Sequence, residues 1–278
     1  LFDLETMMQE PADATIVDAV RWEQPEPGVT VLTLDRPAAR NTLSEAMIAA
    51  LDAAIARASA DPDTRAVVLA STGSAFCPGH DLKEMTKHRA DADGGRAYYA
   101  GLFANCGRMM QAIPASPKPF IAAVQAPAVA AGCQLVAACD LAVAAESAIF
   151  GTTGINNGLF CSTPMITLSR KVPQKTALEL LMLGGLLSAR EALATGLVNR
   201  VVPSDELLAA AIAMARTIAA KSPAAIAIGK KAFYAQVEAP LAEAYAIGTA
   251  ALTENMMHCD AVEGIGAFIE KRKPVWQS

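Results

Sequence analysis

Two short stretches concentrate the chemistry this chain could perform. Residues 127–140, PAVAAGCQLVAACD, run from small residues through a glycine into an apolar, helix-like segment that ends in aspartate. Residues 76–81, FCPGHD, follow the same plan of strand end, small-residue turn and helix start. A helix start leaves its first N–H groups without intrahelical partners and carries about half a positive charge. Small residues there let a ligand approach the backbone closely. Two such N–H groups meeting one carbonyl oxygen would stabilise an enolate, each preorganised donor contributing ~2.7–4 kcal/mol. The same pattern also describes two tight strand-to-helix connections, and residue types alone leave both readings open. Gln134 sits beside the second turn, where a carboxylate would make a catalyst. A glutamine hydrogen-bonds but does not cycle a proton at neutral pH, and it reads equally as a polar residue in the first turn of a helix.

Other reactive side chains are dispersed. None of the six cysteines (77, 106, 133, 139, 161, 259) forms a C-x-x-C pair, and His80, His88 and His258 are not spaced as metal ligands. No metal or bound cofactor is therefore expected, and scattered thiols fit a reducing compartment. No G-x-G-x-x-G follows an expected strand, which argues against a nicotinamide dehydrogenase. The 278 residues carry a net charge of −5, 18% charged residues and only 5% aromatics. That balance offers neither a phosphate-tracking surface nor a base-stacking one, so nucleic acid is not an expected partner. The first twenty residues are acidic, with no basic residue before Arg21. A secretory or mitochondrial leader would be basic, so the expected location is cytoplasmic. Residues 119–139 lack charge and approach membrane-spanning length, but they are mostly alanine and include Gln125, Pro127 and Gln134. Buried core is the better reading, with no membrane association.

The elements that must hold the two turns follow from periodicity. TVLTLD (30–35) alternates and reads as a strand, while RAVVLAST (65–72) and FIAAV (120–124) read as buried strands. TLSE, Thr42 to Glu45, has capping-box spacing and opens a helix with Met47, Leu51 and Ile55 on one face. Residues 86–97 are polar and glycine-bearing and read as a mobile loop before a helix near 97–112. SARE (188–191) is a second capping box, and KSPAA (221–225) places Ser222 at a cap and Pro223 at a first helical position. Strands alternating with helices, then a helical tail, imply an α/β core with an α-helical extension. The expected division is an N-terminal arm over 1–20, a core over 21–207 and a helical region over 208–278.

Taken in order, AFCPGHDLKEM, KPFIAAVQAPAVAAGCQLVAACDLAVA, GLVNRVVP and AFIEKRKP resemble the crotonase, or enoyl-CoA hydratase/isomerase, superfamily from about residue 28 to 273. The resemblance implies a spiral of β-β-α units, a C-terminal trimerisation region and an acyl-CoA ligand. It implies a homotrimer or a dimer of trimers. Its two oxyanion N–H groups map onto His80 and Ala131. His80, Asp81, Leu82 and Lys83 would lie against coenzyme A, as would Ala39 in RPAARN. Phe268 and Lys271 match residues that reach a neighbouring subunit's coenzyme A. The combination of PGHDLKE, AAGCQLVA, GINNGLFCSTP and KRKPVW is more particular. It resembles the enoyl-CoA hydratase domain-containing protein 3 subgroup of that family.

Two departures bear on activity. Gln134 stands at the position of one hydratase glutamate, and FGTTG puts Gly154 at the position of the other. A positioned acid or base contributes about 10²–10⁴ in rate, so efficient hydration is not expected. The resemblance leaves a lyase or isomerase acting through a thioester enolate. A crotonase-type decarboxylase is a second expectation, because its relatives also carry histidine in a GHD turn. Their later tyrosine falls on Cys161 here. His80 would then hold a carboxylate or protonate the enolate, or it simply lines the pocket. Cys161 reads as a pocket-facing thiol or a buried spectator. A non-catalytic acyl-CoA binder is the rival of another class.

Overall fold

The computed structural model describes residues 19–277. The expected arm therefore lies, up to residue 18, outside the described residues. Ala19 is already buried, and Val20 opens the first strand. Strands β1 (Val20–Glu26) and β2 (Gly28–Leu34) form an antiparallel pair around Gly28, whose φ of 78° suits glycine. Helix α1 (Glu45–Ala60) follows, then β3 (Thr64–Ser71), the short α2 (Leu82–Lys87) and the long α3 (Arg96–Ala115). Next come β4 (Phe120–Val124), β5 (Ala128–Val129) and α4 (Ala131–Ala138). After these come β6 (Leu141–Ala145), β7 (Ile149–Gly151) and α5 (Pro164–Leu168). Then come α6 (Gln174–Leu183), β8 (Leu186–Ser188), α7 (Ala189–Thr195) and β9 (Arg200–Val202). Helices α8 (Leu207–Ala219), α9 (Pro223–Gln236), α10 (Leu241–Met257) and α11 (Cys259–Glu270) complete the chain.

The larger sheet has the order β1-β2-β3-β4-β6-β9, parallel from β2 onward. Side chains alternate across a strand, so near-continuous apolar runs mean burial on both faces. Leu32, Leu34, Val67, Leu69, Phe120 and Ala122 join the main core with α1, α3 and α4. Their neighbours Val31, Val68, Ile121, Ala123 and Val143 face Leu207, Ala211, Met214 and Ala215 of α8. The uncharged stretch 119–139 is thus two strands and a helix buried in the protein. No single helix among the described residues is long and apolar enough to cross a membrane.

A second, smaller set of pairings explains the site. Strands β2, β3, β4 and β6 of the large sheet each pass to a short extended segment and then to a helix. These segments pair in parallel, Leu43 with His80, Cys77 with Ala128 and β5 with β7, and β8 closes the row antiparallel to β7. The chain thus winds as a spiral of β-β-α turns, and the loops carrying FCPGHD and PAVAAGC are stacked beside each other.

Local differences from the expected elements have simple causes. The first helix is capped by Ser44, whose Oγ accepts from Met47 N–H, and not by Thr42. Thr42 Oγ1 instead donates to Asp81. Residues 88–95 do not form a featureless loop. His88 bonds Asp91 at 2.8 Å and stacks on Tyr98 at 3.5 Å, and Asp93 accepts from the N–H groups of Gly95 and Ala97.

Candidate active site

The first turn is built from both sides. Leu43 N–H donates to Gly79 C=O at 2.8 Å, and Asp81 N–H returns to Leu43 C=O. Asp81 then caps α2, its Oδ1 accepting from Lys83 and Glu84 N–H. The second turn is tied to the first through main chain. Phe76 N–H donates to Pro127 C=O, Val129 N–H to Cys77 C=O, and Ala130 N–H to Gly151 C=O. Ala130 has φ 50° and ψ −122°. This region is sparsely populated for an L-residue and costs on the order of 1–3 kcal/mol. That backbone turn orients the next peptide, whose N–H belongs to Ala131.

The two turns touch. A Cβ on Gly79 would stand 3.3 Å from the Ala131 nitrogen and 3.0 Å from Ala130 Cβ. Gly79 itself has φ 101°, a conformation that only glycine adopts at low cost. Among the described residues, neither His80 N–H nor Ala131 N–H has a hydrogen-bond acceptor. Two adjacent unpaired amides, one heading α4, can hold the oxygen of a polarised carbonyl.

Around these amides stand buried polar atoms that the protein leaves without partners. The His80 ring is edge-on to Phe103, with centroids 5.4 Å apart, and its Nδ1 lies 3.3 Å from Leu43 C=O. A carbonyl only accepts, so Nδ1 carries the ring proton and Nε2 is a buried acceptor with no partner. Burial pushes the His80 pKa below its ordinary 6.5 and outweighs the Leu43 bond, which acts to raise it. The ring is therefore neutral around pH 7. Gln134 lies three residues beyond Ala131 and so on the same side of α4. It is 4% exposed, and its Oε1 has no partner. Thr152, fully buried, likewise has an unpartnered hydroxyl.

Gly154 is packed shut. A Cβ there would stand 2.6 Å from Leu159 C=O and 2.8 Å from Cys161 Sγ. Cys161 accepts a hydrogen bond from Gly154 N–H, is 8% exposed, and has its thiol pKa raised by burial. The neighbouring Cys133 thiol, 1% exposed, is pushed up to about 12 by burial.

The remaining sequence candidates separate into two groups. Ala39 ends a 3-10 turn at Pro37–Ala39, and Leu82 and Lys83 start α2, on a surface depression continued by Thr86 and Lys87. Phe268 and Lys271 lie at the end of α11, which packs on α9 and α10. Phe268 is 84% exposed. Thr152 and Phe103 were not singled out from sequence. The only signal for Thr152 was a hydroxyl inside an otherwise apolar strand end. Among the described residues, one grouping of metal-ligand types lies within 4.8 Å, namely His258, Cys259 and Asp260. His258 Nδ1 accepts from Asp260 N–H, and Asp260 is engaged by Ser222 and by Gln277 N–H. That cluster caps α11 and lies apart from the turns.

The parallel β-β-α spiral with two apposed amide-bearing turns defines a class. The chain matches the enoyl-CoA hydratase/isomerase family over residues 24–278 and belongs to it. An enoyl-CoA hydratase structure from Mycobacterium smegmatis superposes with TM-score 0.88 at 50% identity, covering 94% of this chain and 99% of that one. More particularly, the chain is similar to enoyl-CoA hydratase domain-containing protein 3. The mouse mitochondrial protein of that name is 43% identical over 249 residues, 90% of this chain and 81% of its own. The human one has been solved and superposes with TM-score 0.87 at 42% identity, covering 93% of this chain and all of that one. The expected fold, a crotonase spiral, and the expected family are both found.

Proposed function

We propose that this protein binds acyl-CoA and stabilises a thioester enolate between the His80 and Ala131 amides, without efficient hydratase activity. The observation that carries the reading is the contact between the two turns, with both amides unpaired and Gln134 buried beside them. Ala39, His80, Asp81, Leu82 and Lys83 would line the coenzyme A path. Gln134 supplies a hydrogen bond and no proton. Gly154 offers no side chain, and Leu159 and Cys161 fill the space one would need. With neither hydratase glutamate present, crotonyl-CoA hydration should lie below that of a two-glutamate relative by at least about 10²-fold.

A non-catalytic acyl-CoA binder is the second reading, favoured by the same loss of both carboxylates. One sample separates the two. Binding of butyryl-CoA is measured by calorimetry, and uptake of solvent deuterium at its α-carbon by mass spectrometry. Uptake supports the enolate; binding without uptake makes the protein a binder; crotonyl-CoA turnover equal to a two-glutamate relative overturns the low-activity claim. The decarboxylase reading draws only on the unpartnered His80 Nε2, and a neutral ring holds a carboxylate poorly.

Assembly as a trimer, or as a pair of trimers, is part of the proposal. Helices α9 to α11 expose Phe233, Leu241, Tyr245, Leu252, Met257 and Phe268, several more than 70% exposed. An apolar surface of that extent is unusual on a monomer. A second copy covering it would also bring Phe268 and Lys271 to a neighbour's coenzyme A. Sedimentation should give three or six times the 28.9 kDa chain, and a monomer at micromolar concentration would defeat this part. All six cysteines are free, which suits the cytoplasmic location we carry for this chain. The names of the animal relatives place those proteins in mitochondria.

A further inference from the structure

We propose that the Cys161 thiol carries the α-carbon proton in this site, working from the place where two-glutamate relatives attach their second carboxylate. The proposal rests on the enolate reading above. Three observations carry it. Cys161 Sγ lies 2.8 Å from where a Cβ on Gly154 would be, so the thiol occupies the root of the missing side chain. It keeps 8% exposure as the inward-turned residue between the exposed Phe160 and Ser162, whereas the adjacent Cys133 keeps 1%. The same region holds Gln134 and Thr152, 4% and 0% exposed, with Oε1 and Oγ1 lacking partners, as expected of groups that a ligand completes.

The competing proton carriers are poorly suited. Gln134 and Thr152 do not titrate near neutrality. His80 has a free Nε2 lone pair, but it stands on the first turn and not at the root of the side chain missing from Gly154, where Cys161 Sγ lies. Cys161 has its Sγ fixed by Gly154 N–H. In the proposed step the Cys161 thiolate takes the proton from the substrate α-carbon. The C–H electron pair moves onto the thioester oxygen, held by the two amides. The reverse step returns a proton from S–H to the α-carbon, after the thiol has exchanged with solvent. Sulfur forms no bond to carbon, and no oxidant or reductant is consumed. Burial favours the S–H form, which suits proton return and makes proton removal grow with the thiolate fraction.

The test is deuterium uptake at the α-carbon of butyryl-CoA by the full-length protein, followed from pH 6 to 9 (about that range) with binding measured in parallel. The unaltered protein should show a rate rising about tenfold per pH unit until the thiol titrates. Cys161→Ala should lower uptake by about 10²-fold or more, abolish that rise, and leave butyryl-CoA affinity nearly unchanged. Cys161→Ser should not restore the rise, because a hydroxyl does not ionise there. Uptake by Cys161→Ala at the unaltered rate overturns the proposal and leaves the amide reading standing. Binding with no uptake by the unaltered protein overturns both. A flat pH profile in the unaltered protein overturns the thiol assignment even if the alanine variant fails to fold.

Discussion

Gly132→Ala should destabilise the protein by about 3 kcal/mol or more and abolish acyl-CoA binding, the largest effect expected of any single methyl group here. A Cβ on Gly132 would lie 1.8 Å from Cys77 C=O and 2.6 Å from its carbonyl carbon. Those are backbone atoms, so no rotamer change relieves the overlap. The same Cys77 carbonyl accepts from Val129 N–H and holds the two turns together. Relief therefore has to separate the amides of His80 and Ala131. Gly101→Ala is the control. A Cβ there meets nothing within 4 Å on the exposed side of α3 and should stabilise by ~0.5–1 kcal/mol. Urea unfolding with calorimetry of butyryl-CoA binding reads both. If Gly132→Ala bound as the unaltered protein does, the turns would not be as closely packed as described.

Asp140→Ala should cost about 3–5 kcal/mol, because it strips the counter-ion from a buried ammonium. Lys230 Nζ, on α9, donates to Asp140 Oδ2 at 2.7 Å, Ile113 C=O at 2.9 Å and Lys118 C=O at 2.8 Å. All three of its protons are used, and its side chain is 8% exposed. Asp140 also accepts from Phe120 N–H and from Tyr234 OH. Burial lowers the Lys230 pKa, and Asp140, as its counter-ion, acts against that shift. Tyr234 is pushed well up by burial and by the same carboxylate. Pairing Asp140→Ala with Lys230→Met should cost less than the sum of the two, since the second change removes the charge that the first left stranded. Hydrogen exchange should show α9 losing protection before the large sheet does. Protection in α9 unchanged by Asp140→Ala would refute the idea that this pair clamps the helical region to the core.

Both predictions show what could and could not be read from residue order. Parallel strands were legible because burial on both faces leaves uninterrupted apolar runs such as FIAAV. The caps at Ser188 and Ser222 were legible because capping is local chemistry. The first helix start was misplaced by two residues, since Thr42 found a tertiary partner in Asp81. The small sheet escaped notice, because two- and three-residue strands such as β5, β7 and β8 carry too few side chains to show a period. Asp140 was visible as the aspartate that closes the second stretch, but Lys230 and Tyr234, about ninety positions later, give no local sign of meeting it. At the candidate site, Gln134 and Gly154 stood out as departures from a resembled pattern. That Cys161 fills the space beside Gly154 depends on how residues 159–161 fold back, which no spacing rule encodes.

The donors proposed to grip the carbonyl are peptide groups, fixed by hydrogen bonds among Leu43, Cys77, Gly79, Val129 and Gly151. In that proposal, the side chains that decide the fate of the substrate project from this frame. Ancestry can therefore exchange those side chains freely while the electrophile-binding cradle is passed on intact. The same separation offers protein engineers a chassis: new reactivity can be written at positions 80, 134, 152 and 161 without redrawing the main chain beneath them.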